Sequence, residues 1–202
     1  MCDPDAPAAG PMACTGVDNC PSVFNPDQLQ TGNNVGGSFG DACVDPTVDV
    51  PDNADIAPDV VIGADTDINT GVTVDSGAEL GDAVTLNRNS TVGEDTIVGD
   101  NATLSQGAAI GTGNEIGDNV SIGANTVIGN NVIIGANVFI GRNVVIGDNV
   151  TIGAGTFINQ DVEIGDDATI GMNVTIGKGA FVHATAEVAD DTVVPKNAVI
   201  TP

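Results

Sequence analysis

Tryptophan and tyrosine are absent from this 202-residue chain, and five phenylalanines are its only aromatics. Basic residues are almost as scarce: four stand against 28 acidic ones, for a formal net charge of −24. A surface of that sign repels phosphate backbones and anionic membranes, which argues against nucleic acid as a partner. Cations, or a saline exterior that screens the repulsion, are compatible with it. No apolar run approaches the ~18 residues of a membrane span, and no signal peptide is visible. Cysteine is missing beyond residue 43; all four (Cys2, Cys14, Cys20 and Cys43) lie before it. An even number clustered in a Gly/Pro/Asp-rich stretch predicts disulfides and a secreted or cell-surface location. Cys2 directly follows Met1, so it is a candidate lipid-carrying cysteine of a bacterial lipoprotein, the other reading being a disulfide to Cys14. Aliphatic residues, by contrast, are plentiful, which argues against disorder despite the charge.

Those aliphatics repeat with a period of six. From Ile62 through Ile68, Val74, Leu80 and Leu86 to Val194 and Ile200, every sixth residue is aliphatic, without a slip. Ile56, Val50 and Val44 keep the phase backwards, among the prolines Pro46, Pro51 and Pro58. Fixed-period self-similarity of this kind marks a solenoid. Two residues before each aliphatic sits a small or β-branched residue, such as Val120, Thr126, Val132, Val138 and Val144. Positions two apart on a strand share a face, so both point inward and the residue between them points outward. Asn119, Asn125, Asn131, Asn137, Asn143 and Asn149 recur where a left-handed backbone must turn a corner. Three strand-and-corner units close a triangular coil of 18 residues. Stacked at about 4.8 Å, eight or nine such coils form a rod roughly 40 Å long. Burying each Ile or Val contributes about 1.5–3 kcal/mol, enough over two dozen positions to hold the rod without disulfides.

This pattern resembles the hexapeptide-repeat family from about residue 56 to 202. The resemblance implies an all-β, left-handed parallel β-helix of 8–9 coils behind a small disulfide-bonded amino-terminal segment. The domain expectation is a Cys-rich segment over 1–45, an irregular first coil or linker over 46–61, and the β-helix over 62–202. Within the first segment, "DNCPSVFNPDQLQTGNNVGGSFGDACVD" resembles a thrombospondin type-3 repeat in Asp18, Asn19, Cys20 and Pro21, in Asn25, Pro26 and Gln28, and in Gly40, Asp41 and Cys43. That second resemblance implies a disulfide, such as Cys20 to Cys43, and a calcium site with Asp18, Asp27 and Asp41 as candidate ligands. The run of alternating aspartates that would complete the site is replaced by Asn and Gly.

Many hexapeptide-repeat proteins are acyltransferases, which implies a histidine general base beside a loop that protrudes from the prism. The one histidine here, His183 in "FVHATAEV", takes the outward position usually held by glycine, and no inserted loop surrounds it. General-base catalysis needs such a group within hydrogen-bond reach of the acceptor. A single histidine also excludes, within one chain, the three-histidine zinc chemistry that the same resemblance brings to mind.

The outer surface is patterned too. Arg88, Arg142, Lys178 and Lys196 are separated by multiples of 18, so every basic residue falls on one corner of the prism. The other two corners read Asp82, Asp100, Asp118, Asp190 and Glu94, Asp148, Asp166. Phe139 and Phe157 stack on the side leading into the basic corner, and Val127, Val145 and Phe181 on the side leaving it. Contiguous outward apolar residues mark an association surface, here expected at Val127, Phe139, Arg142, Val145 and Phe157.

The leading expectation from these features is a non-catalytic, extracellular or cell-surface structural protein. It would be a rigid acidic rod that self-associates as a trimer or filament, with calcium as candidate ligand and no organic cofactor. The alternatives are a hexapeptide-repeat acyltransferase with an inter-subunit site near His183, and a surface adhesion module.

Overall fold

The computed structural model describes residues 48–202, together with the backbone of a strand at Cys43–Val44. Among the described residues every regular element is a two-residue β-strand, and the strands form three parallel sheets. The first sheet has nine strands and runs from Cys43–Val44 through Val61–Ile62 to Glu187–Val188. The second has eight, from Asp67–Ile68 to Val193–Val194; the third has nine, from Asp55–Ile56 to Val199–Ile200. Successive strands in the chain go to successive sheets, so each sheet is one wall of an all-β parallel solenoid. Register is uniform at one coil: Phe139 pairs with Phe157, Ile140 with Ile158 and Val127 with Val145.

The two inward positions of each hexad are buried as the period requires. Ile122, Ile140, Ile158 and Ile176 stack in one wall at 0% exposure, and Val120, Val132, Val138 and Val144 fill the gaps toward the corners. At Thr126 and Asn114, where the second position is polar, the side-chain hydrogen bonds stay within the prism. Thr126 Oγ1 donates to the Gly141 carbonyl at 2.8 Å and accepts the Val144 N–H at 3.2 Å. Asn114 Nδ2 donates to the Gly129 carbonyl, while its Oδ1 accepts the Val132 N–H at 2.7 Å.

Corners form as expected. Asn119, Asn125, Asn131, Asn137, Asn143 and Asn149 all hold φ between 54° and 60°. The N–H of such a residue bonds to the coil before it; Asn143 donates to the Ala124 carbonyl at 3.0 Å. The glycine of the "IGxN" beat has a different task. A Cβ at Gly123 would stand 2.4 Å from the carbonyl carbon of Gly141, so the coils meet there backbone to backbone.

One hexad fails to make a strand. Val50 keeps the aliphatic phase and packs against the core, yet the second sheet begins only at Asp67–Ile68. The residue after each aliphatic donates its N–H to the next coil, as Ala57 does to Val74 and Gly63 to Leu80. Pro51 occupies that place after Val50 and has no hydrogen to give to Ile68.

The acidic corners also prove to be structural. Asp118 Oδ1 accepts the Asp100 N–H at 3.0 Å, and Asp100 Oδ1 accepts the Asp82 N–H at 2.8 Å. Asp82 Oδ1 in turn accepts the Ala64 N–H at 2.8 Å. On the next acidic corner Asp166 caps Asp148, and Asp148 caps Asn130. These corner carboxylates therefore satisfy backbone donors that a turning chain would otherwise leave to water.

Candidate functional site

His183 follows the strand Phe181–Val182 of the third sheet, on the corner between that sheet and the first. Its backbone is fixed on both sides: the N–H donates to the Ile200 carbonyl at 2.9 Å, and the carbonyl accepts the Ala186 N–H at 3.2 Å. The imidazole is exposed and stands edge-on to Phe181, ring centroids 4.6 Å apart at 75°. Two residues on, Thr185 holds φ 61°, a left-handed conformation that a β-branched residue rarely adopts. Its N–H donates to the Asp166 carbonyl at 2.8 Å, which holds it there. The same conformation turns the chain one coil earlier at Asp167 and two coils earlier at Asn149, both at φ 58°, so it follows from the repeat. An imidazole can take a proton on a ring nitrogen and return it as the imidazolium, the property a general acid–base requires.

The basic corner lies between the second and third sheets. Arg142 Nε donates to Gln160 Oε1 at 2.9 Å, and Lys178 Nζ is 3.2 Å from Asp161 Oδ2. The Asn143 amide, then Lys178, hydrogen-bond the Asp161 carboxylate and hold it below the ordinary carboxylate range. On one flank of this corner Phe139 and Phe157 are stacked face to face, 4.7 Å between centroids at 8°. Their exposures of 42% and 41% are high for phenylalanine beside a core. Val127 and Val145, each 48% exposed, are paired neighbours on the other flank. Four residues of the expected association surface thus flank the corner that carries the fifth, Arg142, two on either sheet. Ile97 and Ile133 are also exposed, on the first sheet, but Glu115 is seated between them.

Higher on the same corner is a shallow groove of about 500 Å³, lined by Asn69, Asn87, Arg88, Ser105, Gln106 and Ala124. The sequence reading missed it, because period and charge reveal a column but not its relief.

The calcium candidates Asp18, Asp27 and Asp41 lie outside the described residues, as do the side chains of Cys2, Cys14, Cys20 and Cys43. Among the described residues no group of three or more His, Cys, Asp or Glu could hold a metal ion. Nor is any helix among them long and apolar enough to cross a membrane.

Residues 115–147 and 143–178 match the family model for the bacterial transferase hexapeptide (six repeats). Residues 89–130 match the hexapeptide repeat of succinyl-transferase. The thrombospondin type-3 resemblance over residues 18–45 gains no support from either match. No curated protein matches the sequence significantly. Among solved structures, the chain is similar to LpxA from Acinetobacter baumannii, at 19% identity and a TM-score of 0.53, covering 77% of this chain and 69% of that one. LpxA from Bacteroides fragilis 9343, a UDP-N-acetylglucosamine acyltransferase, gives 20% identity and a TM-score of 0.53, covering 75% and 69%. The acetyltransferase domain of PglB from Neisseria gonorrhoeae FA1090, in complex with acetyl coenzyme A, is 24% identical with a TM-score of 0.48. That alignment covers 52% of this chain and 54% of the domain, so the chain spans about half of that relative's length.

The all-β parallel solenoid and its hexapeptide repeats thus stand. The expectation of a non-catalytic structural rod, and with it the exclusion of enzymatic activity, is overturned by the transferase repeats matched across residues 89–178. Its premises were the unbroken repeat, the absence of an active-site insertion and the charge-segregated surface. The secreted or cell-surface placement is corrected for the same reason. It relied on cysteines whose side chains lie outside the described residues.

Proposed function

We propose that the chain is an acyltransferase, moving an acyl group from a thioester donor of the coenzyme A type to a hydroxyl or amine. His183 is the general base, at a site completed by a second copy of the chain. The observation that carries this reading is the run of transferase-type hexapeptide repeats leading to the coil that holds the sole imidazole. Among the described residues no side chain hydrogen-bonds that imidazole, so a ring nitrogen is free for substrate. It takes the acceptor's proton as the acceptor attacks the thioester carbonyl. The tetrahedral intermediate then collapses, the C–S bond breaks, and the imidazolium returns the proton to the departing thiolate.

A flat wall leaves the reacting atoms in water, and a second subunit would exclude it. The patch of Val127, Phe139, Arg142, Val145 and Phe157 suits that role. Val145 and Phe181 lie outward in the same column of the third sheet, with Glu163 between them, and His183 follows Phe181. A copy seated on the patch would therefore run alongside the imidazole.

The test is acyl-coenzyme A binding and turnover against a panel of amino-sugar and hydroxyl acceptors. His183→Ala is expected to lower turnover by about 10²- to 10⁴-fold while leaving donor affinity and the far-ultraviolet spectrum unchanged. Undetectable donor binding at millimolar concentration, or turnover indifferent to His183→Ala, removes the reading.

A further inference from the structure

The basic corner differs from the other two in what it excludes. Residues 85–91, 103–109, 121–127 and 139–145 are the stretches of four consecutive coils that round it, and none contains Asp or Glu. In a chain with 28 carboxylates, this leaves an acid-free band about 19 Å tall. It ends at Asp67 on one side and at Asp161 and Glu163 on the other. The carboxylate ladders lie on the other two corners, across walls roughly 15–20 Å wide. That is about twice the Debye length at physiological salt, so their repulsion is largely screened at the band.

Arg88 stands in this band, at the groove described above. Unlike Lys178, it has no carboxylate within ion-pair reach among the described residues. Around it are amide and hydroxyl side chains, Asn69, Asn87, Ser105 and Gln106. Gln106 and Ala124, the shortest side chain of the lining, lie between Arg88 and Arg142 on this corner. Asn87 is oriented by donating its Nδ2 to the Leu104 carbonyl at 3.0 Å, which leaves Nδ2 with a second hydrogen. Where the same column carries glycine, at Gly123 and Gly141, there is no side chain to wall a groove.

An unpaired guanidinium flanked by neutral donors, in the acid-free part of an otherwise acidic molecule, suits a phosphoryl group, which it grips through paired N–H donors. From this geometry we infer that the Arg88 groove binds the phosphoryl group of a small molecule. The site is separate from His183, which lies on another corner more than five coils away, and it does not rest on the acyl-transfer reading.

Titration of the whole protein with inorganic pyrophosphate, followed by calorimetry and by the side-chain amide signals of Asn69 and Asn87, tests the assignment. Binding is expected that weakens as salt rises, shifts those amides, and falls about tenfold or more in Arg88→Gln. Lys196→Gln, on the same corner but outside the groove, is expected to leave it unchanged. UDP-N-acetylglucosamine and coenzyme A are the two further arms. Tighter Arg88-dependent binding of the first identifies a nucleotide sugar as the source of the phosphoryl group, and of the second an acyl donor. No binding of any probe, binding that survives Arg88→Gln, or equal loss in Lys196→Gln overturns the assignment. Since Arg88 is exposed, its replacement leaves the fold intact.

Discussion

Asn130 donates its backbone N–H to Asp148 Oδ1 at 2.7 Å, one coil away, while its own Oδ1 accepts the Thr112 N–H at 2.9 Å. An amide and a carboxylate thus perform the same task in adjacent rungs of one ladder. What the corner needs is a short side chain with an acceptor oxygen. The negative charge adds only repulsion between rungs about 4.8 Å apart.

Replacing Asp148 by Asn is therefore expected to preserve the acceptor and relieve the repulsion from Asp166. Unfolding in urea at low ionic strength should show a gain of a few tenths of a kcal/mol that fades as salt is added. Asp148→Ala, which removes the acceptor, should instead cost about 0.5–1.5 kcal/mol at any salt concentration.

Inside the prism, Ser90 and Thr126 occupy the same inward column with opposite outcomes. Thr126 both donates and accepts, whereas Ser90 Oγ is fully buried without a hydrogen-bond partner. Thr126→Val should cost about 1–3 kcal/mol, because the Gly141 carbonyl and Val144 N–H lose their buried partner. Ser90→Ala should be neutral or stabilising by up to about 1 kcal/mol. A clear loss in Ser90→Ala would show that the hydroxyl is satisfied after all.

Gly123 and Asn125 separate two reasons for the repeat's small residues. A Cβ at position 123 meets only backbone, Gly141 carbon at 2.4 Å and Arg142 nitrogen at 2.5 Å, so neither coil can yield without breaking the ladder. Gly123→Ala is expected to destabilise by roughly 1–3 kcal/mol or more. Asn125, at φ 55°, meets a conformational constraint only. Asn125→Ala should cost about 1 kcal/mol and Asn125→Gly much less. Thermal denaturation of the three variants gives the order.

Asp161 provides a pH test. Its carboxyl is held low by Asn143 and then Lys178, so the folded pKa lies below the unfolded one. The stabilisation is complete above the unfolded carboxylate value near 4 and is lost as pH falls through the lower folded value. Carbon-detected titration should find Asp161 ionising below its exposed neighbours, with its midpoint rising in Asn143→Ala and in Lys178→Met. A midpoint unmoved by both changes would remove the pair as the cause.

The aliphatic column and the corner asparagines were legible in the sequence because each is a strict consequence of period six, repeated over the whole prism. Pro51 was legible as an irregularity, but its cost to the Val50 strand required knowing which carbonyl its missing N–H would have reached. The carboxylate columns were legible from the 18-residue spacing, but their capping of backbone donors was not. Asp100 touches Asp82 only once coils are stacked in register, and charge counting reads both as solvated acids. The site residues fared unevenly for a related reason. The repeat dictates the inward face and leaves outward chemistry unconstrained, so His183 and the Phe139 patch could be located, but the relief around Arg88 could not.

The uniform one-coil register has a further consequence. Each coil touches only the coil before and the coil after, so the molecule behaves as a one-dimensional stack in which stability accrues by nearest-neighbour addition. Such an object has no core residue that touches every other, so a disturbance at one rung is passed on only rung by rung. A substitution at Gly123 would be felt in the coils on either side of it and would fade with distance along the axis, which amide exchange can follow coil by coil.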